Sequence, residues 1–180
     1  MAIVINGSGT VTGISVGGLP DAIVDAGTLA VNSRGTVLQV VEGSSDSDVT
    51  TTSTGVWTDS GLTASITPSA TSSKILVIQH QFYIGRFNTG GEEWEGSFRI
   101  LRDSTTLYAT VTNAFSAIAA VQSSKARVQM GNTIAHSYLD SPSTTSAITY
   151  KTQGYMQTGD VLVVNRASAR STLTLMEIAG

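Results

Sequence analysis

From Thr36 onward, apolar and polar residues alternate in short runs broken by Gly, Asp, Ser or Pro at spacings of roughly 8 to 15 residues. A period of two places successive side chains on opposite faces of an extended chain, and many short runs of this kind mark a sandwich or jelly roll. The pattern predicts strands over 36–41, 62–67, 74–84, 97–102, 105–112, 126–130, 133–139, 146–155, 160–165 and 171–178. Asp103-Ser104 and Gly159-Asp160 have the composition of hairpin turns. Residues 113–124, NAFSAIAAVQSS, fit a helical turn or a loop over one end of the sandwich equally well.

The longest run, KILVIQHQFYI at 74–84, divides into two faces. Leu76, Ile78, His80, Phe82 and Ile84 lie on one, which the pattern assigns to the core. Ile75, Val77, Gln79, Gln81 and Tyr83 lie on the other, apolar at one end and amide-rich at the other, and are expected to be covered by a neighbouring subunit. Residues 1–35 follow a different pattern. Short apolar pieces are separated by Gly and Ser, and Ile3, Ile5, Leu19, Ile23 and Leu29 form too narrow a stripe for a core. This segment reads as an extended attachment or trimerisation arm, and 36–180 as one β-sandwich domain.

Composition narrows the functions. Charged residues make up 13% of the chain, about half the usual ~25%, which leaves few acids and bases for chemistry. The net charge of −3 and the absence of a Lys/Arg cluster argue against nucleic acid. No cysteine is present, so disulfides and thiolate metal sites are excluded. No apolar run is long enough to predict a membrane helix, and no secretory signal is visible.

Several motifs invite a chemical reading. Gly13-Ile14-Ser15-Val16-Gly17 matches the hydrolase pattern G-x-S-x-G, but no helix follows it and no alternating β/α pattern surrounds it. Gly7 and Gly9 begin a dinucleotide fingerprint whose third glycine is Thr12 here. His80 and His136, with Glu92, Glu93 or Glu95, would form a minimal metal set if the fold brought them together. Asp46 and Asp48 resemble half a calcium loop without its Gly and terminal Glu. The stretch 86–95, RFNTGGEEWE, sets Arg86, Phe87 and Trp94 among carboxylates and is the candidate surface-contact loop. The same Trp in an inward-folded hairpin would cap the core or a subunit seam.

The opening GSGTVTGISVGGLPDAIVDAGTLA, together with YLDSPSTTSAITYKTQ at 138–153 and STLTLMEI at 171–178, resembles tail-fibre and other virion appendage proteins of tailed bacteriophages, of the marine or cyanobacterial type. The resemblance covers about a third of the chain, and its motifs are of low complexity. It implies a homotrimer, a β-rich distal domain, an arm that anchors to another virion protein, and no catalytic residues or cofactor. The expected protein is therefore an all-β, jelly-roll-like antiparallel sandwich in a short trimeric tail fibre. It would be assembled in the host cytoplasm, with a host-surface glycan or protein as a possible further partner. The alternatives are a capsid decoration or head-fibre protein and a carbohydrate-binding module. A glycan-cleaving enzyme would need one of the loop carboxylates to face Asp140 or Asp160 across a cleft.

Overall fold

The structure, a computed structural model, describes residues 36–87, 94–110, 115–117, 128–166 and 169–180. The arm residues Ile3, Ile5, Leu19, Ile23 and Leu29, together with Ser15, Glu92 and Glu93, lie outside the described residues. Those that are described form eleven strands: β1 Val37–Ser45, β2 Val49–Thr51, β3 Trp57–Ile66, β4 Lys74–Phe87, β5 Trp94–Arg102, β6 Thr105–Ala109, β7 Phe115–Ala117, β8 Val128–Asp140, β9 Ile148–Thr158, β10 Val161–Val164 and β11 Ser171–Ile178.

Strand β4 organises the first sheet. It pairs with β8 along one side, from Ile75 opposite Asp140 to Phe87 opposite Val128. Its other side is shared, the first half by β11 and the second by β10. β1 continues the sheet beyond β11, and β2 continues it beyond β10. The second sheet runs β3-β9-β5-β6, with β7 against the start of β5. Every pairing is antiparallel. Four strands in the order β1-β11-β4-β8 thus face four in the order β3-β9-β5-β6, and the chain crosses between sheets as a double Greek key does. The architecture is a jelly-roll β-sandwich.

The core fills the space between the sheets in two clusters. Ile75, Val77, Leu173 and Leu175 meet Leu62, Ala64, Ile66, Ile100, Ile148 and Tyr150 at one end. Tyr83, Trp94, Phe98, Met156, Leu162 and Val164 pack at the other. At the β1/β3 edge, Gly43 lies so close to the Thr63 carbonyl that a side chain could not be accommodated, which lets the sheets close there. Asp103, with φ 52°, turns β5 into its paired neighbour β6, the hairpin expected there, whereas Gly159, with φ 118°, carries the chain from β9 in the second sheet to β10 in the first, so the hairpin expected at Gly159-Asp160 does not form. β8 is one strand where the alternation indicated two pieces, and β2 and β7 were not expected.

The faces of β4 are the reverse of the sequence expectation at all but its last position. Ile75, Val77, Gln79, Gln81 and Tyr83 are buried between the sheets, while Leu76, Ile78 and Phe82 are half-buried and His80 is exposed on the outer side; Ile84, on that outer side, is buried with Val161 and Val163. Two amides sit in the core and share one acceptor. Gln79 Nε2 donates to Gln81 Oε1 at 2.8 Å, and the Thr152 hydroxyl donates to the same oxygen at 2.9 Å. Gln79 Oε1 and Gln81 Nε2 make no hydrogen bond among the described residues, so these contacts offset only part of the cost of burying the two amides. Both faces of the strand carry apolar residues, and counting them does not tell which side is inside.

Two buried carboxylates tie the edges together. Asp140, at the end of β8, accepts two hydrogen bonds from Arg102 Nη1, at 2.9 and 2.7 Å, and one from the Tyr150 hydroxyl at 2.7 Å, linking the sheets. Glu177, on β11, accepts from the Ser69 amide and hydroxyl and from Gln39 Nε2, clamping β1 and the turn before β4 onto the sheet.

Candidate surface-recognition site

Alternation along β9 sends Tyr150, Thr152, Gly154 and Met156 inward and leaves Lys151, Gln153 and Tyr155 on the outer face of the second sheet. Register then assembles two ranks. Trp57 on β3 lies opposite Tyr155, and one step along, Asp59 lies opposite Gln153, which is opposite Arg99 on β5. Same-face neighbours on adjacent strands are close enough to touch, and these do. The Trp57 and Tyr155 ring centroids are 5.0 Å apart, and the Arg99 guanidinium lies 4.4 Å from the Trp57 ring centroid in a cation–π contact. Arg99 Nε donates to Gln153 Oε1 at 2.7 Å, Gln153 Nε2 donates to Asp59 Oδ1 at 2.5 Å, and the Lys151 ammonium is 3.2 Å from the Asp59 carboxylate. The Gln153 hydrogen bond holds the Asp59 carboxyl below its ordinary range against the opposing effect of burial, and Lys151 and Arg99 add their charge.

Beside these ranks β3 bulges. Its pairing with β9 slips between Asp59 and Thr63, and Gly61 takes φ 76°, a conformation that favours glycine. The bulge opens a depression of about 230 Å³ lined by Asp59, Gly61, Leu62, Thr63, Lys151 and Thr152. It is braced from inside. Ser60 donates its hydroxyl to the Thr152 carbonyl at 3.0 Å, and Asn165, buried with φ 58°, donates from Nδ2 to the Ser60 carbonyl, the Ser47 carbonyl and the Ser45 hydroxyl. The result is an aromatic pair, a guanidinium, an amide, an ammonium and a carboxylate held on strands beside a shallow hollow. Such groups hold a polar ligand with apolar faces, as sugars are held.

The residues singled out from the sequence are placed elsewhere. Trp94 is 1% exposed and Phe87 7% exposed, so neither ring is presented to solvent. The Trp94 indole stacks on Tyr83 at 5.6 Å and donates Nε1–H to the Val161 carbonyl at 3.2 Å, in a slot walled by Gly85, Gly96 and Gly159. Both rings are buried in the core, and the strands that bear them, β4 and β5, lie in different sheets and form no hairpin. Arg86 is half-buried on β4, opposite Gln129 and Val161.

The two histidines point to opposite sides of the first sheet. His136 pairs with inward-facing Gln79 and contacts the Tyr108 ring at 4.8 Å, while His80 is exposed on the outer side. Burial lowers the pKa of His136. Among the described residues no three His, Asp or Glu side chains are grouped to hold a metal. Glu95 accepts a hydrogen bond from the Thr158 hydroxyl at 3.3 Å on the second sheet, whereas Asp140 is held by Arg102 and Tyr150. Asp46 and Asp48 are exposed, with Arg166 4.0 Å from Asp48.

The Trp57 site is not legible in the sequence because the alternation predicts a strand only from 62, and Ser60-Gly61, where β3 bulges, interrupts the pattern that would carry it back to Trp57.

No family model matches the chain, and no curated protein matches it. Among solved structures, a chain of the T13 IBDV viral particle is similar, at 16% identity and a TM-score of 0.34. The match covers 79% of the present chain and 36% of that one, a likeness too loose to carry an argument.

Proposed function

We propose that this chain is a structural protein of a virus particle, a jelly-roll subunit displayed on the particle surface and held there by residues 1–35. The observation that carries the reading is the strand order β1-β11-β4-β8 against β3-β9-β5-β6, the double Greek key used by many viral coat and lectin domains. Fold alone does not assign function. The likeness of residues 7–30 to phage appendage arms supplies the second line. The Trp57 ranks on the outer face of the second sheet supply the third, as groups a displayed subunit would present to its surroundings.

Of the positions on a particle, a decoration of the capsid surface is the one we favour. Among the described residues of 37–178, strands of the sandwich occupy most positions, which favours a compact domain over a fibre shaft. Assembly as a homotrimer belongs to the same proposal, since three copies of the outer ranks would add weak contacts through multivalency. The test is a cryo-EM comparison of particles with and without the protein. Loss of density on the capsid surface is the expected result. Loss at the tail would restore the tail-fibre reading, and no loss would remove the particle altogether.

A carbohydrate-binding module is the second reading, favoured by Trp57, Tyr155, Arg99, Gln153 and Asp59 at the bulge. Glycan-array binding that disappears in Trp57→Ala would support it. Binding that persists in that variant would place recognition elsewhere.

A further inference from the structure

The outer face of the first sheet carries a row of apolar side chains across four hydrogen-bonded strands. Leu139 on β8 lies opposite Leu76 on β4, which lies opposite Met176 on β11, which lies opposite Val40 on β1. The rows on either side add Ile178 and Val37, and Ile78. Val40 is 55% exposed, Val37 50% and Leu139 49%, with Leu76, Ile78, Met176 and Ile178 half-buried. The apolar surface these seven side chains leave in water comes to roughly 400 Å². One side of a standard-size interface buries about 800 Å², a little over half of it apolar, so the face holds nearly the apolar content that one partner contributes.

Charge is sparse there. Within these three rows the charged positions are Lys74 and Glu42, both at the margin, and Arg170 lies 3.7 Å from Glu42. Ser137 and Thr174 complete the middle of the patch. Depletion of charge at the centre with apolar side chains is the composition of a protein contact, whereas a sugar surface would present aromatic rings and fixed polar groups.

We propose that a second copy of this chain covers the face, packed sheet against sheet through the row Leu139, Leu76, Met176 and Val40. The row is self-complementary. Reversed by a two-fold axis, it sets Leu139 against Val40 of the second copy and Leu76 against Met176, apolar on apolar at every step, which is what an isologous contact requires. Two twisted sheets stack face to face in this way at about 10 Å, as the two sheets inside the domain already do. The contact does not depend on the virion reading. It is also separate from any three-fold association through residues 1–35.

The experiment is light scattering of the full chain over a concentration series, beside two variants. Val40→Glu/Leu139→Glu puts carboxylates into the row at exposed positions on edge strands, so the monomer fold is retained, which far-UV circular dichroism checks. Thr149→Glu, on the outer face of the other sheet, is the control. The expected result is self-association of the wild type and the control, with a dissociation constant raised roughly a hundredfold or more in the double variant. A wild-type monomer at high concentration would overturn the proposal. So would association unchanged by Val40→Glu/Leu139→Glu, and if Ile23→Asp in the full chain then abolished it, the arm would be the seam. Failure of the virion proposal alone would leave the scattering result standing.

Discussion

Gly85→Ala tests whether Trp94 is as closely held as its surroundings imply. A methyl group at position 85 would lie within 2.7 Å of indole Cγ, Cδ2 and Cε2, whereas carbon atoms rest at about 3.5–4.0 Å. The indole cannot retreat, because Gly96 and Gly159 bound it elsewhere and Tyr83 stacks against it. Overpacking of this kind costs about 1–3 kcal/mol, and Trp94→Ala, which empties a fully buried site, costs about 3–5 kcal/mol. If the two effects were independent, the double variant would lose about 4–8 kcal/mol, much of a typical domain's whole stability. With Trp94 gone, the new methyl instead occupies vacated space. The double variant is then expected to be no less stable than Trp94→Ala, a coupling of at least about 1 kcal/mol. Equilibrium urea unfolding followed by far-UV circular dichroism measures all four proteins without relying on the tryptophan signal. Losses that add within about 0.5 kcal/mol would refute the picture of a glycine-walled slot.

Three further outcomes follow from the buried polar groups. Burial pushes the Glu177 carboxyl up, but hydrogen bonds from Ser69 and Gln39 outweigh it and bring its pKa from 4.5 to about 2. Its contribution, on the order of 3 kcal/mol, is therefore complete above pH 4.5 and is lost as pH falls toward 2. Glu177→Gln should be less stable at neutral pH and show a flatter acid limb in thermal melts from pH 7 to 2. Asp140→Ala leaves Arg102 and the Tyr150 hydroxyl without their shared acceptor and is expected to cost about 2–4 kcal/mol, against about 1–2 kcal/mol for Tyr150→Phe, by urea unfolding. Equal losses would mean that Arg102 contributes nothing. Thr152→Val removes a donor to Gln81 and the hydroxyl that meets the Ser60 hydroxyl, so a loss of about 1–3 kcal/mol is expected, and a neutral result would show that the core amides do not depend on it.

The alternation of apolar and polar residues carried the strands and their approximate limits, because a half-buried strand must repeat every two residues whatever it packs against, and turn composition carried the hairpin at Asp103 but not the crossover between sheets at Gly159. Low charge and the absence of cysteine restricted the chemistry in the same direct way. Periodicity says that a strand has two unlike faces. It does not say which face is inside when both are apolar, and the contact that marks the buried side of β4, the hydrogen bond from Thr152 to Gln81, exists only once β4 and β9 face each other. Trp94 shows the same limit. Its neighbours in sequence are carboxylates and glycines, which read as a surface loop, yet Gly85 from β4 and Gly159 from the turn after β9 enclose it. Trp57, Tyr155, Arg99 and Asp59 are joined by register across three strands, and no spacing along the chain encodes register between distant segments. Local patterning, a property of neighbouring residues, determined the elements. Burial, pairing and the two outer faces depend on contacts between residues far apart in the chain, and only the tertiary structure decided them.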